Sequence, residues 1–321
     1  MSTPSISLRA RLFSRGITAA LTRMRGSNAL TGDETRDDMA KVAVEMRRRM
    51  ESLAARGPVP RTVTLDAADA DGIPVEWVTH VRSDPSRVVM HVHGGAFVAG
   101  SPRTHRGIAR GLALIAKARV FMPEYRLAPE HPYPDPLDDV VTAYKWLVND
   151  EGVPPHRIAV SGDSAGGGLG LSMLLRLRDD GFPQPACYVG LSPWTDLAAT
   201  GASMEENNGR DVMFGQIPTQ LASVLASLYY ADADPTDPLV SPMYADMTGL
   251  PPMLIHVGES ELIRDDGLRL VSRARRDGVH ASVGRFHGMW HVFQAFPIPE
   301  ASWSYREIGG FIRRHIPDEA N

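Results

Sequence analysis

The 321-residue chain is 43% hydrophobic and 22% charged, with a formal net charge of -4. That profile belongs to a globular protein large enough to bury a substantial core. It offers no basic surface for a nucleic-acid partner, and no run of about 18 apolar residues that could span a membrane. A single cysteine, Cys187, cannot form an internal disulfide, which suits a reducing, cytoplasmic setting. Its apolar surroundings, "ACYVGLSPW", make it a small buried strand residue rather than a reactive thiol.

The chain opens with Arg9, Arg11, Arg15, Arg23 and Arg25 and no acidic residue before Asp33. A transit segment has such a composition, but so does an amphipathic helix of the mature fold, and the second reading is the expectation here. From Arg61 onward, short β-type runs alternate with helical patterns. "RTVTLDAADADGIPVEWVTHV" reads as two strands turning at Asp71-Gly72, and "RVVMHVH" as a strand buried on both faces. A helix is expected over 103–117, a strand at "RVFMPEY", and a helix over "DPLDDVVTAYKWLVND", whose first turn is acidic. "RIAVSG" is a strand followed by a helix from Ala165 to Arg178. "ACYVGLS" and "PPMLIHVG" are strands, Leu262 to Arg276 a helix, "HASVGRF" a strand, and 300–315 a last helix.

Strands alternating with helices imply a mostly parallel sheet covered on both faces. Residues 1–55 and 200–235 fall outside the alternation. Both look helical, and they are expected to form a cap over the C-terminal edge of the sheet, where ligands bind in such folds. The catalytic domain would then be 56–199 with 236–321.

The junction "GDSAGGG", residues 162–168, spends four glycines where a strand becomes a helix. Gly162-x-Ser164-x-Gly166 fits a nucleophile elbow, a sharp turn that exposes a serine at the N-terminus of a helix. A serine hydroxyl needs a base and donors for the oxyanion of acyl transfer. Gly94 and Gly95, after the "RVVMHVH" strand, could supply backbone N–H groups together with Ala165. His91 and His93 share a strand face, but no third ligand cluster accompanies them, so no metal is expected. The base and a carboxylate should follow the serine in the order acid, then histidine.

Several stretches together resemble the hormone-sensitive lipase family of α/β-hydrolases, the bacterial family IV esterases. They are His93-Gly94-Gly95-Ala96-Phe97, "YRLAPEHPYPDPLDD", "GDSAGG", "SPWTDL" and "GMWHVF". The likeness covers roughly residues 60 to 315. It implies an α/β-hydrolase fold, with a mostly parallel eight-stranded sheet flanked by helices and a helical cap. It also implies a catalytic triad of Ser164, Glu261 and His291 with an oxyanion hole from Gly94, Gly95 and Ala165. Three positions depart from the family pattern. Ala96 stands where a glycine is usual, Glu261 where an aspartate is usual, and His287 near the base where a smaller residue is common. Asp265 and Glu259 are the alternative acids and His287 the alternative base. Asp163, beside the nucleophile, is read as a structural hydrogen-bonding residue.

The expected reaction is two-step hydrolysis of a short- to medium-chain acyl ester, with lactones within reach and no cofactor or metal required. An amidase or peptidase of the same fold, or a binding protein without catalysis, is the alternative. Phe97, Met213, Phe214 and His287 are the candidate pocket residues, and Leu12, Phe13, Met24 and Leu30 belong either to the pocket or to the cap's own core. The family resemblance also implies a homodimer through the edge strand at "HASVGRF".

Overall fold

Eight runs of the chain become strands in the computed structural model, which describes residues 6–25, 32–55, 57–214 and 219–318. They are β1 (Val63–Ala70), β2 (Ile73–His80), β3 (Asp84–Val92), β4 (Ala118–Pro123), β5 (Ile158–Asp163), β6 (Cys187–Leu191), β7 (Met253–Gly258) and β8 (Ala281–Phe286). One sheet takes them in the order β1-β2-β4-β3-β5-β6-β7-β8. β1 and β2 form a hairpin whose turn is Asp71-Gly72, both at positive φ, and β2 runs antiparallel to β4. All other neighbours are parallel.

Period-two alternation sorts the strand residues onto two buried faces. Val88, Met90, Val92, Val160, Tyr188, Ile255 and Val257 point to one core, and Val89, Val120, Met122, Ala159, Val189 and Leu254 to the other. The first core is closed by α4 (Asp135–Asn149), α5 (Ser164–Asp179) and α8 (Arg264–Arg276). The second is closed by α3 (Pro102–Ala116) and α9 (Pro299–His315). Helix α5 is buried at every residue from Ala165 to Leu175, so its sequence is apolar on all sides and not striped. A capping box between Ser101 and Thr104 starts α3.

The remaining helices are α1 (Leu8–Arg25), α2 (Arg36–Ala54), α6 (Ser203–Glu206) and α7 (Gln220–Tyr230). The arginine-rich start is thus helical from Leu8. Ser7 anchors it to α9 through Glu300, its N–H at 2.8 Å and its hydroxyl at 2.9 Å. Ala10 enters a third cluster with Met289, Trp290 and Phe293. Phe13 packs on that cluster, whereas Leu12 is exposed. The Met24 side chain and all of Leu30 lie outside the described residues. Thr35 and Asp38 form the capping box of α2, and Arg36 donates to the Ser227 carbonyl of α7 at 3.0 Å. None of the described helices is long and apolar enough to cross a membrane.

Strand register places the site. Val92 pairs with Gly162, Asp163 with Leu191, and Leu191 with His256. The C-terminal ends of β3, β5, β6 and β7 therefore stop at one rim, and the loops that leave them meet there.

Candidate active site

At the end of β5 the chain turns through Ser164, which sits at φ 53° and opens α5. A side chain at Gly162 would run into the Gly166 carbonyl, and one at Gly166 into the carbonyls of Val92 and His93. These two glycines let strand and helix cross closely enough to hold a serine in a left-handed conformation that costs roughly 1–3 kcal/mol. The strain has a geometric return, because Ser164 Oγ lies 2.8 Å from His291 Nε2.

His291 is 5% exposed and Glu261 fully buried. Glu261 Oε2 stands 3.4 Å from His291 Nδ1, on the far side of the ring from the serine. Burial disfavours the imidazolium, but the Glu261 carboxylate outweighs it, with smaller help from Asp211 and Asp163, so His291 titrates above its ordinary value. Burial also raises Glu261, only partly offset by His291. The two behave as one coupled pair. The loop bearing His291 is fixed from β6, since Ser192 Oγ accepts the Val292 N–H at 3.1 Å.

Behind the serine lies a buried polar cluster. Asp163 Oδ1 accepts the Gly94 N–H at 3.1 Å and stands 3.2 Å from His91 Nε2, while Oδ2 lies 3.5 Å from His105 Nε2. Burial would raise Asp163, but the charge and hydrogen bonds of His105 and His91 prevail and hold it well below the usual carboxylate range. Burial likewise opposes charge on His105, yet Asp163 lifts it above its ordinary value. His93, stacked 4.2 Å from Tyr125 and 5.3 Å from His105, is driven down to about 3 by burial and by its neighbour His105. Its carbonyl accepts the Tyr125 hydroxyl at 2.7 Å. Among the described residues no group of three His, Cys, Asp or Glu side chains is arranged to hold a metal ion.

A family model described as "alpha/beta hydrolase fold" matches residues 89–295. An "Acetyl-hydrolase" of Streptomyces hygroscopicus is 39% identical over 240 residues, 74% of this chain and 79% of the relative. An "Esterase" of Acinetobacter venetianus is 33% identical over 264 residues, 82% of this chain and 86% of the relative. A crystal structure of "an esterase from the bacterial hormone-sensitive lipase (HSL) family" superposes with a TM-score of 0.83 at 38% identity, covering 94% of this chain and 98% of that one. This chain belongs to the hormone-sensitive lipase family of α/β-hydrolases.

Within this family member, the structure brings Ser164, His291 and Glu261 together and separates the alternatives. Asp265 accepts the Ser203 N–H at 3.0 Å and pairs with Arg264 at 2.8 Å. Glu259 is taken by His287 at 3.0 Å and Arg285 at 3.1 Å. Asp163 faces Gly94 and two histidines.

Three expectations are corrected. Gly94 is not a free oxyanion donor, because its N–H is spent on Asp163. The next two N–H groups, on Gly95 and Ala96, have no hydrogen-bond acceptor among the described residues. Gly95 (φ 126°) and Ala96 (φ 56°) are both left-handed, the bend that follows once Gly94 is pinned. Ala165 stands in the first turn of α5, where N–H groups lack intrahelical acceptors. Phe97 does not line an open pocket: it is 1% exposed, stacked 3.8 Å on Tyr229 and 6.0 Å from Trp194. It anchors the loop instead, its carbonyl accepting the Ala128 N–H at 3.0 Å. His287 is exposed and paired with Glu259, and among the described residues it makes no hydrogen bond, ion pair or ring contact with Ser164, Glu261 or His291.

Phe214 does reach the site, its ring 5.0 Å from that of His291 and 36% exposed, and Met213 packs beside it on the Trp290 cluster. Sequence reasoning missed Asn207 and Asp211, both buried against the Glu261 loop. No spacing or motif marks them, because both act on backbone groups.

Proposed function

We propose that this hydrolase is a carboxylesterase that cleaves short- to medium-chain acyl esters, and lactones of similar size, through an acyl-enzyme on Ser164. The observation that carries the reading is the 2.8 Å contact between Ser164 Oγ and His291 Nε2, with Glu261 on the opposite ring nitrogen. His291 takes the serine proton as Oγ attacks the ester carbonyl. The N–H groups of Gly95, Ala96 and Ala165 stabilise the oxyanion. His291 then protonates the leaving alcohol, and water activated by the same ring releases the acid. Glu261 holds the tautomer and balances the imidazolium.

The helices of residues 8–54 and 203–230 form the cap in this reading, with Met213 and Phe214 at its inner edge beside His291. The names "Acetyl-hydrolase" and "Esterase" of the relatives support a small acyl group. A chain-length series of p-nitrophenyl esters, run on wild type and Ser164→Ala, tests the proposal. Activity should be greatest at short to medium acyl chains and fall by about 10⁴ or more in the variant. Hydrolysis that survives Ser164→Ala, or amide cleavage faster than ester cleavage, would overturn it.

A further inference from the structure

The catalytic carboxylate has only loose contacts at its own oxygens. Neither Oε1 nor Oε2 of Glu261 makes a close hydrogen bond among the described residues: its approach to His291 is 3.4 Å, and Ser192 is a further side chain that favours its charged form. Its backbone, by contrast, is held closely. The peptide unit between Glu261 and Leu262 is gripped from both sides by the cap segment that follows β6. Asn207 Nδ2 donates to the Glu261 carbonyl at 2.8 Å, and also to the Glu259 carbonyl at 3.0 Å. Asp211 Oδ2 accepts the Leu262 N–H at 2.9 Å. One residue further, Ser203 Oγ donates to the Leu262 carbonyl at 2.6 Å. Two side chains thus hold the oxygen and the hydrogen of a single amide plane, and that plane fixes ψ of Glu261.

Asp211 has a second task. Its other oxygen accepts the N–H of Met213 at 2.9 Å and of Phe214 at 3.4 Å. Phe214 is the residue whose ring lies against His291. At 4% exposure the Asp211 carboxylate is a buried joint, with the acid loop on one oxygen and the wall beside the base on the other.

We propose that Asp211, with Asn207, is a positioning residue that aims Glu261 at His291 and ties that aim to the seating of the 211–214 cap segment. The inference rests on the triad reading above and deepens it. A cap displaced at 211–214 releases the Leu262 N–H, lets the Glu261 peptide rotate, and uncouples the carboxylate from the imidazole. Substrate that packs against Phe214 tightens the same joint.

The test is a double-mutant cycle on the full-length enzyme with p-nitrophenyl butyrate, on the alkaline plateau where the imidazole is neutral. Asp211→Asn keeps the volume but turns one acceptor into a donor, and Asn207→Ala removes the grip on the carbonyl. Active sites are counted by phosphonate titration, so that a misfolded fraction does not enter kcat. Each substitution should lower kcat per titrated site by about 10 to 10², the cost of a misplaced catalytic group, with KM nearly unchanged. In a Glu261→Gln background the same substitutions should cost less than about twofold, because residues acting through one group are not additive. Equal losses in both backgrounds, or wild-type kcat in both single variants, would overturn the inference while leaving the triad intact. Full activity in Glu261→Gln would instead bring down the triad reading itself.

Discussion

Replacing Asp163 by Asn changes one oxygen to nitrogen beside the nucleophile without touching the nucleophile. It removes the carboxylate that pairs with His105 at 3.5 Å and His91 at 3.2 Å and holds the Gly94 N–H at 3.1 Å. Breaking a buried pair by deleting one partner costs about 3–5 kcal/mol. His105 can shed its proton once the carboxylate is gone, so the lower end, about 3 kcal/mol, is expected. In a chain of this size that is a fall in Tm of about 6 °C, at roughly 2 °C per kcal/mol. The pH window follows from the two shifts. Asp163 is lowered, so its contribution is present above the ordinary carboxylate pKa and is lost as pH falls through its folded value. His105 is raised, so its contribution is full below the ordinary histidine pKa and disappears as pH rises through its folded value. The difference between wild type and Asp163→Asn should therefore be largest between about pH 4 and pH 6.5 and shrink above that. Calorimetry at a fixed scan rate across pH 4 to 9 reads it. Equal Tm values at pH 6, or a gap that widens toward pH 9, would refute the account of the cluster as a stabilising charge pair.

Two further outcomes follow from the same geometry. Because Glu261 raises His291 above its ordinary value, kcat/KM should fall as pH drops through an acid limb centred above about 6.5. Glu261→Gln leaves the burial that lowers the ring opposed only by the smaller pull of Asp211 and Asp163, so its residual activity should show a limb shifted to lower pH; an unmoved limb in pH–rate profiles would remove Glu261 as the partner. Gly95→Ala places a methyl group into the Ala99 carbonyl at a position of φ 126°. It should lower kcat by about 10² to 10³, as loss of an oxyanion donor does, and a loss confined to KM in steady-state kinetics would contradict that role.

The elements that were legible in the sequence owe it to burial on two faces. β3, β5, β6 and β7 are continuous apolar runs because helices cover both sides of the sheet, and their ends fall within a few residues of the expected bounds. Ser164 was readable for a related reason: strain and close packing demand glycine at 162 and 166, and glycine is visible in a sequence. His291 was readable from its place after the acid in chain order and from the family stretch "GMWHVF". Glu261 was distinguishable from Asp265 and Glu259 only by family pattern, since three acidic residues within seven positions give no physical preference. The geometry supplies that preference by giving Asp265 to Arg264 and Ser203, and Glu259 to His287 and Arg285.

The misassigned donor at Gly94 shows where residue-level reasoning stops. Two adjacent glycines after a buried strand look equivalent as backbone donors, and what separates them is a side chain 69 residues away. Asp163 was recognised as structural, but its target, the Gly94 N–H, was not. It takes the Gly94 N–H, and the next two N–H groups, on Gly95 and Ala96 at positive φ, are left without an acceptor among the described residues. In the proposed mechanism a carboxylate adjacent to Ser164 therefore serves the oxyanion hole without facing substrate. The Glu261 peptide, held by Asn207 and Asp211, repeats the device on the other side of the serine. At both places buried polar side chains act on backbone amides. Such partnerships leave no periodicity and no motif, because a main-chain N–H looks the same at every residue.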